Sequence, residues 1–459
     1  MFRHNFDLKK ERRWLVLSIC KAARTLHFED LILSINCEFD SVRKAIVQSK
    51  DSNRPYRILI VMPYPDGQAG ASRSVEIAAS YLDPKVIDAT VLTSSEGTLS
   101  RALEDCGTAQ VMIDHDLPEA LRAYPKKSAN ALEVPFYFFK NIVSYIRFAK
   151  RLAQLCKEKE MDAIVANCLH PKLVCYFASK IAKIPLIWHV RTIRKGANLR
   201  MLQTLGKRKN VAKIICISKP VARPFGKELE SKITIVPNGV PLGTRTRTRS
   251  LIRKELGLSD EEILVGLVGR VVPYKGVGDF IDAAANTCSL SKKATFVVLG
   301  TTPRNERIDF MAKYKKRVED LGLSNRIHFF GHRDNIDDLM PDLDVLVQPS
   351  RWEEPFGRTL IEGMAAGVCV VASNTGGMPE ILGVEDQDDV SEELFWAPYG
   401  VVFPAQNVAS LSAALKRLLE NKELRGQLAA AGLKRVEQTY SALETTKTYE
   451  RAIIEAISK

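Results

Sequence analysis

The amino-acid sequence predicts an α/β protein with two doubly wound, Rossmann-like parallel sheets that face one another across a cleft. Short apolar runs alternate with helical patterns in two series, the first starting at Arg57 and the second at Ile263. Between them, the polar and cationic residues 244–249 interrupt the apolar periodicity. Strands that alternate with helices favour parallel pairing, with helices on both faces of the sheet. At 459 residues, the chain is long enough for two domains with full cores.

The first domain is predicted over residues 51–243, after a basic and helical extension at residues 1–50. Its predicted strands are 57–62, 88–93, 109–113, 162–166, 185–190, 213–217 and 233–236, separated by helices such as 72–82 and 138–159. These strands are short apolar runs, which is typical of strands buried on both faces. The extension has two interpretations: a helix on a membrane surface, or a helix that packs on the first domain.

A linker at 244–250 leads to the second domain, predicted over residues 251–440. Its predicted strands are 263–268, 294–299, 326–330, 343–347, 368–372 and 401–403, and its helices are 277–286, 305–321, 359–366 and 408–432. The acidic segment 384–393 is predicted to be a solvated loop. A last helical pattern at 441–457 has no strand after it, so residues 441–459 are expected to return to the first domain.

Charge is distributed unevenly between the halves of the chain. The net charge is +13, but residues 1–250 carry 42 Lys and Arg against 23 Asp and Glu, whereas residues 251–459 carry 25 against 31. A basic first half indicates an anionic partner, such as a membrane surface or a lipid phosphate, although a solvated basic face is an alternative. Because no helix-turn-helix, zinc-finger or aromatic RNA-binding signature occurs, nucleic acid is not expected.

Compartment and membrane topology follow from cysteine usage and hydropathy. Nine cysteines occur singly, without a C-x-x-C pair, which favours reduced thiols in the cytoplasm. No apolar run reaches the roughly 18 residues of a membrane span, and the stretch 14–20 follows Asp7 and Glu11, unlike a signal peptide. We expect a cytoplasmic protein that can associate peripherally with the inner face of a membrane.

The segment 354–362 carries the most specific chemical signal. Glu354 and Glu362 bracket a glycine-bearing turn that follows the apolar run 344–350, and a helix starts near Thr359. A helix N-terminus favours negative charge, because its backbone N–H groups are unpaired and its dipole is positive there. Carboxylates beside such a site suit hydroxyl donors. The pattern therefore indicates a ligand that combines phosphate with a polyol, such as a nucleotide sugar.

A second loop supplies cations in the same domain. Arg270 and Lys275 follow the predicted strand 263–268, in a loop kept tight by Pro273 and Gly276. Two cations at a strand end can hold a diphosphate and stabilise charge on a departing phosphate oxygen. They could also replace a divalent cation, and no metal site is evident in the sequence.

Four motifs follow one another in the second domain: Gly269-Arg270 with Lys275-Gly276, Pro349-Ser350, Glu354-x7-Glu362 and Thr375-Gly-Gly-Met-Pro-Glu380. Together they closely resemble the motifs of the retaining GT-B glycosyltransferases of the glycosyltransferase group 1 superfamily (family 4). The resemblance covers the chain from about residue 57 to the end and is densest between 263 and 404. It implies a GT-B fold and transfer of a sugar from a nucleotide sugar, with retention at the anomeric carbon and without a metal ion.

The resemblance also implies a role for each matching residue. Glu362 would hold the ribose hydroxyls, Glu354 would contact the transferred sugar, and Arg270 with Lys275 would clamp the diphosphate. Backbone amides would complete the donor pocket around Phe356, Gly357, Gly376 and Gly377. In the first domain, the glycine loop 65–73 would border the donor phosphate, with Ala69-Gly70 where two glycines are usual in the family.

The acceptor side departs from the family pattern. Many relatives place a histidine at the end of the strand that begins with Pro185-Leu186; here Arg191 takes that position and His189 lies two residues earlier. Side chains two apart on a strand share a face, so both could reach the cleft. Arg191 would then stabilise charge instead of moving a proton, while a purely structural role for His189 is an equal alternative.

The sequence therefore predicts a hexosyltransferase-type enzyme that uses a UDP- or GDP-sugar and a glycan, polysaccharide or lipid-linked acceptor. No separate cofactor is expected. Two alternatives stay open: a sugar-nucleotide epimerase on the same fold, and a non-catalytic module that binds anions or nucleic acid. The donor base, the sugar and the acceptor are not specified by these motifs.

Overall fold

A computed structural model of the protein describes residues 54–65, 70–118, 133–243, 250–288, 293–304, 306–385, 390 and 392–458, with the backbone alone at 133–142. The predicted extension at 1–50, the linker residues 244–249 and the centre of the glycine loop at 66–69 lie outside the described residues, as does much of the acidic segment 384–393.

The described residues form two seven-stranded sheets. The first contains β1 Tyr56–Val61, β2 Ile87–Thr93, β3 Ala109–Ile113, β4 Ala163–Ala166, β5 Leu186–Val190, β6 Val211–Cys216 and β7 Ile233–Ile235. The second contains β8 Ile263–Val268, β9 Ala294–Leu299, β10 Ile327–Gly331, β11 Val345–Gln348, β12 Cys369–Ser373, β13 Phe395–Ala397 and β14 Gly400–Phe403.

Helices cover both faces of each sheet. In the first half they are α1 Gly70–Ser80, α2 Thr98–Cys106, α3 Glu133–Glu158, α4 Leu169–Ala182, α5 Gly196–Gly206 and α6 Lys219–Ala222. In the second half they are α7 Leu251–Leu256, α8 Val277–Cys288, α9 Phe310–Asp320, α10 Ile336–Leu339, α11 Arg358–Ala365, α12 Met378–Leu382, α13 Val408–Glu420, α14 Lys422–Arg435 and α15 Ala442–Ser458.

The two sheets have the same topology, and this topology indicates where a ligand would bind. Their orders are β3-β2-β1-β4-β5-β6-β7 and β10-β9-β8-β11-β12-β14-β13, and the strand order reverses between β1 and β4 and between β8 and β11. Ligands of open α/β sheets bind at such switch points, outside the carboxyl ends of the strands. The loops after β8 and β11 therefore border the cleft. The predicted fold class, two parallel-sheet α/β domains, is confirmed.

Two details of the second domain differ from the prediction. The edge strand β13 pairs antiparallel with β14, so this sheet is not purely parallel. The helix predicted at 408–432 is two helices, α13 and α14, because Asn421 ends the first and caps the second: its side chain accepts from the backbone N–H of Leu424 at 2.9 Å. Asparagine is a strong N-cap residue, and its extended backbone here breaks the helical path.

Alternation along the strands divides the core of the first domain. In β1, Leu59 and Val61 pack with α3 and α4, whereas Ile58 and Ile60 face α1, α2 and α15. Successive side chains of a strand point to opposite faces of its sheet, so one continuous apolar run supplies both layers.

The chain crosses between the domains along two adjacent segments. The backbone N–H of Val240 donates to Tyr440 O at 2.9 Å, and that of Ala442 donates to Val240 O at 2.8 Å. After this crossing α15 packs on the first sheet, where Tyr449 and Ile453 join the apolar cluster on its α1 side. Among the described helices, none combines the length and the apolar character needed to cross a bilayer.

Candidate active site

An ion pair joins the two predicted donor-site loops of the second domain. Lys275 ends a short 3₁₀ turn after β8, and its Nζ donates to a carboxylate oxygen of Glu354, in the loop after β11. The side chains are only 15% and 23% exposed, so the pair is partly shielded from water. Because parallel strands end at the same edge of a sheet, two residues far apart in sequence meet at the switch point.

Glycine lets the β8 loop pack directly on the β11 loop. Gly276 has φ 73°, and a Cβ at this position would lie 1.7 Å from Pro349 O. A side chain is therefore excluded both by the left-handed backbone and by the contact. The backbone N–H of Arg351 donates to Tyr274 O at 2.9 Å, and the Arg351 guanidinium pairs with Asp279 of α8. These contacts fix the loop that carries Lys275.

Arg270 lies in the same loop with its side chain turned to solvent. The residue is exposed, and its guanidinium carbon lies 5.6 Å from the centre of the Tyr274 ring. This cation–π geometry orients the guanidinium without neutralising its charge. The loop therefore presents two cations, one paired with Glu354 and one stacked on an aromatic ring.

The glycine turn after β12 holds the backbone of Glu354. Gly377 N–H donates to Glu354 O at 2.8 Å. Gly376 has φ 58°, and a Cβ there would lie 1.9 Å from the same carbonyl oxygen. The carbonyl of Glu354 is thus held from one side while Lys275 holds its carboxylate. This double anchoring fixes the carboxylate in place.

The helix start between the two predicted acids is assembled by Phe356 and Gly357. Gly357 is the N-cap of α11 at φ 110°, and Phe356 is buried in a T-shaped contact with Tyr440, with ring centres 5.9 Å apart. Arg358, the first residue of this helix, donates to a carboxylate oxygen of Glu362, which lies one turn further along. The free N–H groups of the first turn and the helix dipole favour an anion near this start, with Glu362 one turn beyond it as a hydroxyl acceptor.

Residues of the first domain that the sequence analysis missed contact this site. Ser218 Oγ donates to Pro355 O at 2.6 Å, and the backbone N–H of Lys219 donates to Glu380 Oε2 at 2.9 Å. Lys195 forms an ion pair with Glu353 at 2.5 Å. The sequence does contain a pattern that predicts the local structure at Ser218, because Ser-Lys-Pro after an apolar strand is typical of a helix N-terminus.

His189 and Arg191 lie together, but on the side of the first sheet that faces the domain crossing. Arg191 donates to Asn238 Oδ1 at 2.7 Å and lies 3.2 Å from His189 Nδ1. The His189 ring packs against Tyr449 of α15, with ring centres 5.2 Å apart. The two residues line a cavity of about 20 Å³, which is large enough to hold one water molecule.

Burial shifts the protonation of this cluster. It lowers the pKa of His189 well below its ordinary value, and the charges of Arg191 and Lys172 lower it further. Burial also lowers the pKa of Arg191 to about 10 and that of Lys172 to about 7. Lys172 Nζ donates at 2.7 Å to both Asn167 O and His189 O, which joins the ends of β4 and β5. The imidazole is therefore neutral near pH 7.

Gly70 begins α1 beside the part of the glycine loop that lies outside the described residues. A Cβ at Gly70 would have no protein atom within 4 Å. The packing of the described residues therefore does not require glycine here, and the expected contact with the donor phosphate stays a prediction. The structure thus brings together Arg270, Lys275, Glu354, Gly376 and Gly377. The His189–Arg191 pair packs against Tyr449 and Asn238, and, after burial, the charge of Arg358 at the start of α11 contributes to the lowered pKa of Arg191.

Two family models match the chain, one on each domain. The model described as Glycosyltransferase Family 4 matches residues 69–243, and the model described as Glycosyl transferases group 1 matches residues 248–435. Together they cover most of the chain, and they meet at the predicted linker. The chain belongs to the group 1 glycosyltransferases.

Several curated relatives of this glycosyltransferase are themselves named as sugar transferases, with different acceptors. The chain is 31% identical to the lipopolysaccharide core biosynthesis mannosyltransferase LpsB of Rhizobium meliloti (strain 1021) over 209 residues, which are 45% of the chain and 55% of the relative. It is 26% identical over 260 residues to the N,N'-diacetylbacillosaminyl-diphospho-undecaprenol alpha-1,3-N-acetylgalactosaminyltransferase of Campylobacter jejuni, covering 56% of the chain and 59% of that protein. The chain spans about half the length of the curated relatives it matches.

Solved structures share the fold of this glycosyltransferase over both domains. The Anabaena protein Alr3699/HepE in complex with UDP aligns with a TM-score of 0.68 at 22% identity, over 87% of this chain and 99% of that one. WaaG, a glycosyltransferase involved in lipopolysaccharide biosynthesis, aligns with a TM-score of 0.57 at 17% identity, over 86% and 98%. At these identities the likeness shows the fold, and the expected GT-B fold is confirmed.

Proposed function

We propose that this glycosyltransferase transfers a sugar, with retention and without a metal ion, from a UDP- or GDP-sugar to a hydroxyl group of a glycan or lipid-linked acceptor. The observation that carries the proposal is the contact between Lys275 and Glu354 at the switch point of the second sheet. A cation of the kind that binds phosphate and a carboxylate of the kind that accepts from hydroxyl groups lie side by side there, which supports a nucleotide sugar as the donor.

Each predicted residue takes one part of the donor in this proposal. Lys275 and Arg270 hold the diphosphate, and the amide groups at the start of α11 and at Gly376 and Gly377 complete its site. Glu354 accepts from hydroxyls of the transferred sugar, and Glu362 accepts from the ribose. Relatives support the donor class, since HepE is solved in complex with UDP and with UDP-glucose.

The proposed reaction needs only the donor and the acceptor to balance. The acceptor oxygen forms a bond to the anomeric carbon on the face from which the diphosphate departs, and the bond from that carbon to the phosphate oxygen breaks. The acceptor proton passes to the departing phosphate oxygen. Lys275 and Arg270 stabilise the negative charge that develops there, which lowers the barrier to departure.

For the acceptor, we propose a lipid-linked or lipopolysaccharide-type glycan reached at an anionic membrane surface. Helix α3 supports this idea, because Val143 and Ile146 are 55% and 45% exposed. The exposed cations Arg147 and Lys150 share their face at a spacing of three to four residues. Apolar side chains flanked by cations on one helix face suit the boundary of an anionic bilayer.

A panel of nucleotide sugars tests the donor proposal. We expect UDP- or GDP-sugars to raise the melting temperature and to be hydrolysed slowly, with unchanged activity in EDTA. Nuclear magnetic resonance of a transfer product should show the anomeric configuration of the donor. If no UDP- or GDP-sugar stabilises the protein or is consumed, the proposed donor class is wrong. An inverted product would disprove retention.

Sedimentation with phosphatidylglycerol vesicles at low salt tests the membrane proposal. Val143→Asp together with Ile146→Asp should abolish sedimentation. Ile308→Asp is the matched control, since Ile308 is 56% exposed on the second domain and should leave binding unchanged. Wild-type protein that stays in the supernatant would rule out docking on an anionic bilayer.

A further inference from the structure

Glu380, the last residue of the motif 375–380, contacts the first domain. Gly376 and Gly377 of this motif belong to the proposed donor pocket, whereas Glu380 lies within α12 and is half-buried. Its Oε2 accepts from the backbone N–H of Lys219 at 2.9 Å. Lys219 is the first residue of α6, and an N–H group in the first turn of a helix has no partner within that helix. A carboxylate of the second domain therefore satisfies a backbone donor of the first.

Ser218, the residue before Lys219, contacts the neighbouring donor loop. It is only 1% exposed, and its Oγ donates to Pro355 O at 2.6 Å while it accepts from the N–H of Val221 at 3.4 Å. Pro355 directly follows Glu354, the proposed acceptor for sugar hydroxyls. The turn between β6 and α6 thus contacts both segments that surround this carboxylate, the loop after β11 through Ser218 and the helix after β12 through Lys219.

These contacts join the ends of three strands. Ser218 and Lys219 follow β6 of the first sheet, whereas Pro355 follows β11 and Glu380 follows β12, which are neighbours in the second sheet. The four residues therefore bring the carboxyl end of β6 against the carboxyl ends of β11 and β12, beside the switch point where ligands of such sheets bind.

The contact at Glu380 reaches the backbone of Glu354 through one glycine. Gly377, the N-cap of α12, donates its N–H to Glu354 O at 2.8 Å, and a Cβ at Gly377 would lie 2.9 Å from Pro355 O. The N–H of Ile381 donates to Gly377 O at 3.3 Å, which ties the glycine to the helical turn that carries Glu380. A shift of α12 therefore also shifts the donor that holds Glu354.

We propose that Glu380 is a positioning residue. Its bond to the Lys219 N–H seats α12 against the first domain and so holds Glu354 in place for the hydroxyls of the transferred sugar. A hydrogen bond to a carboxylate is roughly twice as strong as a neutral one. An acceptor that is fixed before the ligand arrives also loses less entropy on binding. This inference rests on the proposed function, in which Glu354 accepts from that sugar.

Paired ligands with and without the sugar separate this role from a general loss of stability. The ratio of the Kd of UDP to the Kd of UDP-glucose, and that of GDP to GDP-mannose, reports recognition of the sugar alone, because nucleotide contacts cancel. We expect Glu354→Ala to lower the ratio at least about tenfold and Glu380→Ala to lower it about two- to fivefold. Glu380→Gln keeps an acceptor oxygen and should lower it less.

Lys219→Pro tests the same hydrogen bond from the first domain, because it removes the N–H and leaves the second domain unchanged. Proline suits the first helical position, and the extended backbone of Ser218 suits a residue before proline. We expect Lys219→Pro to lower the ratio as much as Glu380→Ala does. The double variant should lower it no further, since both changes remove one bond. Lys219→Ala keeps the N–H and should retain the wild-type ratio.

The remaining control and the contrary outcomes are distinct. Arg333→Ala removes an arginine that pairs with Glu255 at 2.9 Å elsewhere in the second domain, and it should leave the ratio unchanged. If the wild-type protein binds none of the four ligands, or Glu354→Ala keeps the wild-type ratio, the proposed function fails at the sugar. If Glu354→Ala lowers the ratio while folded Glu380→Ala and Lys219→Pro keep it, the positioning role is overturned and the proposed function stands. Additive effects of Glu380→Ala and Lys219→Pro, or equal effects of Lys219→Ala and Lys219→Pro, would overturn it as well.

Discussion

Lys275 and Glu354 are 79 positions apart in the sequence, yet the Nζ of the first donates to the carboxylate of the second at the edge of the second sheet. Each belongs to a loop that follows a neighbouring strand, β8 or β11. The pair links the predicted phosphate-binding loop to the predicted sugar-binding loop, and most of the predictions below concern the loops around it.

Removing either partner of this pair should stop catalysis while the protein stays folded. Lys275→Ala removes a cation from the leaving group, and Glu354→Ala removes an acceptor for sugar hydroxyls. We expect each to lower kcat by about 10²–10³-fold, the usual effect of losing one group that stabilises developing charge. Steady-state transfer rates and circular dichroism measure the two effects. Arg333→Ala is the control, and turnover within threefold of wild type in either variant would contradict the assignment.

Gly376→Ala should disturb the site more than an ordinary left-handed glycine does. Its Cβ would lie 1.9 Å from Glu354 O at φ 58°, whereas Gly107, at φ 65°, has open space around an added Cβ. Gly107→Ala should cost about 1–2 kcal/mol of unfolding free energy from backbone strain. Gly376→Ala should cost more and also weaken nucleotide binding. Denaturant unfolding and UDP titration make the comparison, and equal effects of the two substitutions would refute the close contact.

The bond from Ser218 to Pro355 O should contribute to stability and to donor binding. Ser218→Ala removes this contact and also the cap on the Val221 N–H. Asn421→Ala removes a similar cap, on Leu424, without a contact between domains. We expect Asn421→Ala to lower the free energy of unfolding by about 1 kcal/mol and Ser218→Ala to lower it by about 2 kcal/mol. Only Ser218→Ala should also raise the KM for the donor. A KM unchanged by Ser218→Ala would show that this contact does not affect the site.

Stability should fall on acidification because His189 is buried in its neutral form. Its pKa is depressed in the folded protein, so below pH 6.5 the unfolded chain binds a proton that the folded protein does not. The unfolding free energy then decreases as the pH falls, by at most about 1.4 kcal/mol per pH unit from this group. His189→Gln keeps an acceptor for Arg191. In this variant the unfolding free energy should change less with pH between pH 6.5 and 5 than it does in the wild-type protein. An identical slope in both proteins would indicate that His189 is protonated in the fold.

Most strands could be predicted from the sequence because strands that are buried on both faces appear in it as short apolar runs. The predicted strands 263–268 and 294–299 have the observed bounds, since each is a largely apolar run that is buried along its whole length. The predicted strand 109–113 also has the observed bounds, although Gln110 interrupts its apolar run. The break at Asn421 was missed because helix-forming residues continue on both sides of it. The helices are separated only by the extended backbone of Asn421, whose side chain caps the second helix. The three-residue edge strand β13 was not predicted.

The parts of the candidate site that lie within one local motif could be predicted from the sequence. The parts that depend on contacts with the other domain could not. Glu354 and Glu362 belong to one strand–turn–helix segment, so their spacing carries the signal. The contacts of Ser218 with Pro355 and of Lys219 with Glu380 join positions more than 130 residues apart, and no spacing rule connects them.

The sequence by itself determined the fold class, the donor-side motifs and the family resemblance, because strand periodicity, glycine turns and the carboxylate spacing are local properties. The tertiary structure alone decided which charges meet. It paired Lys275 with Glu354 and brought Arg73 to Asp337 across the cleft. It also turned His189 and Arg191 toward Tyr449 and Asn238 at the domain crossing. Such pairings arise from the relative placement of two sheets and the returning helix α15, which no local pattern encodes.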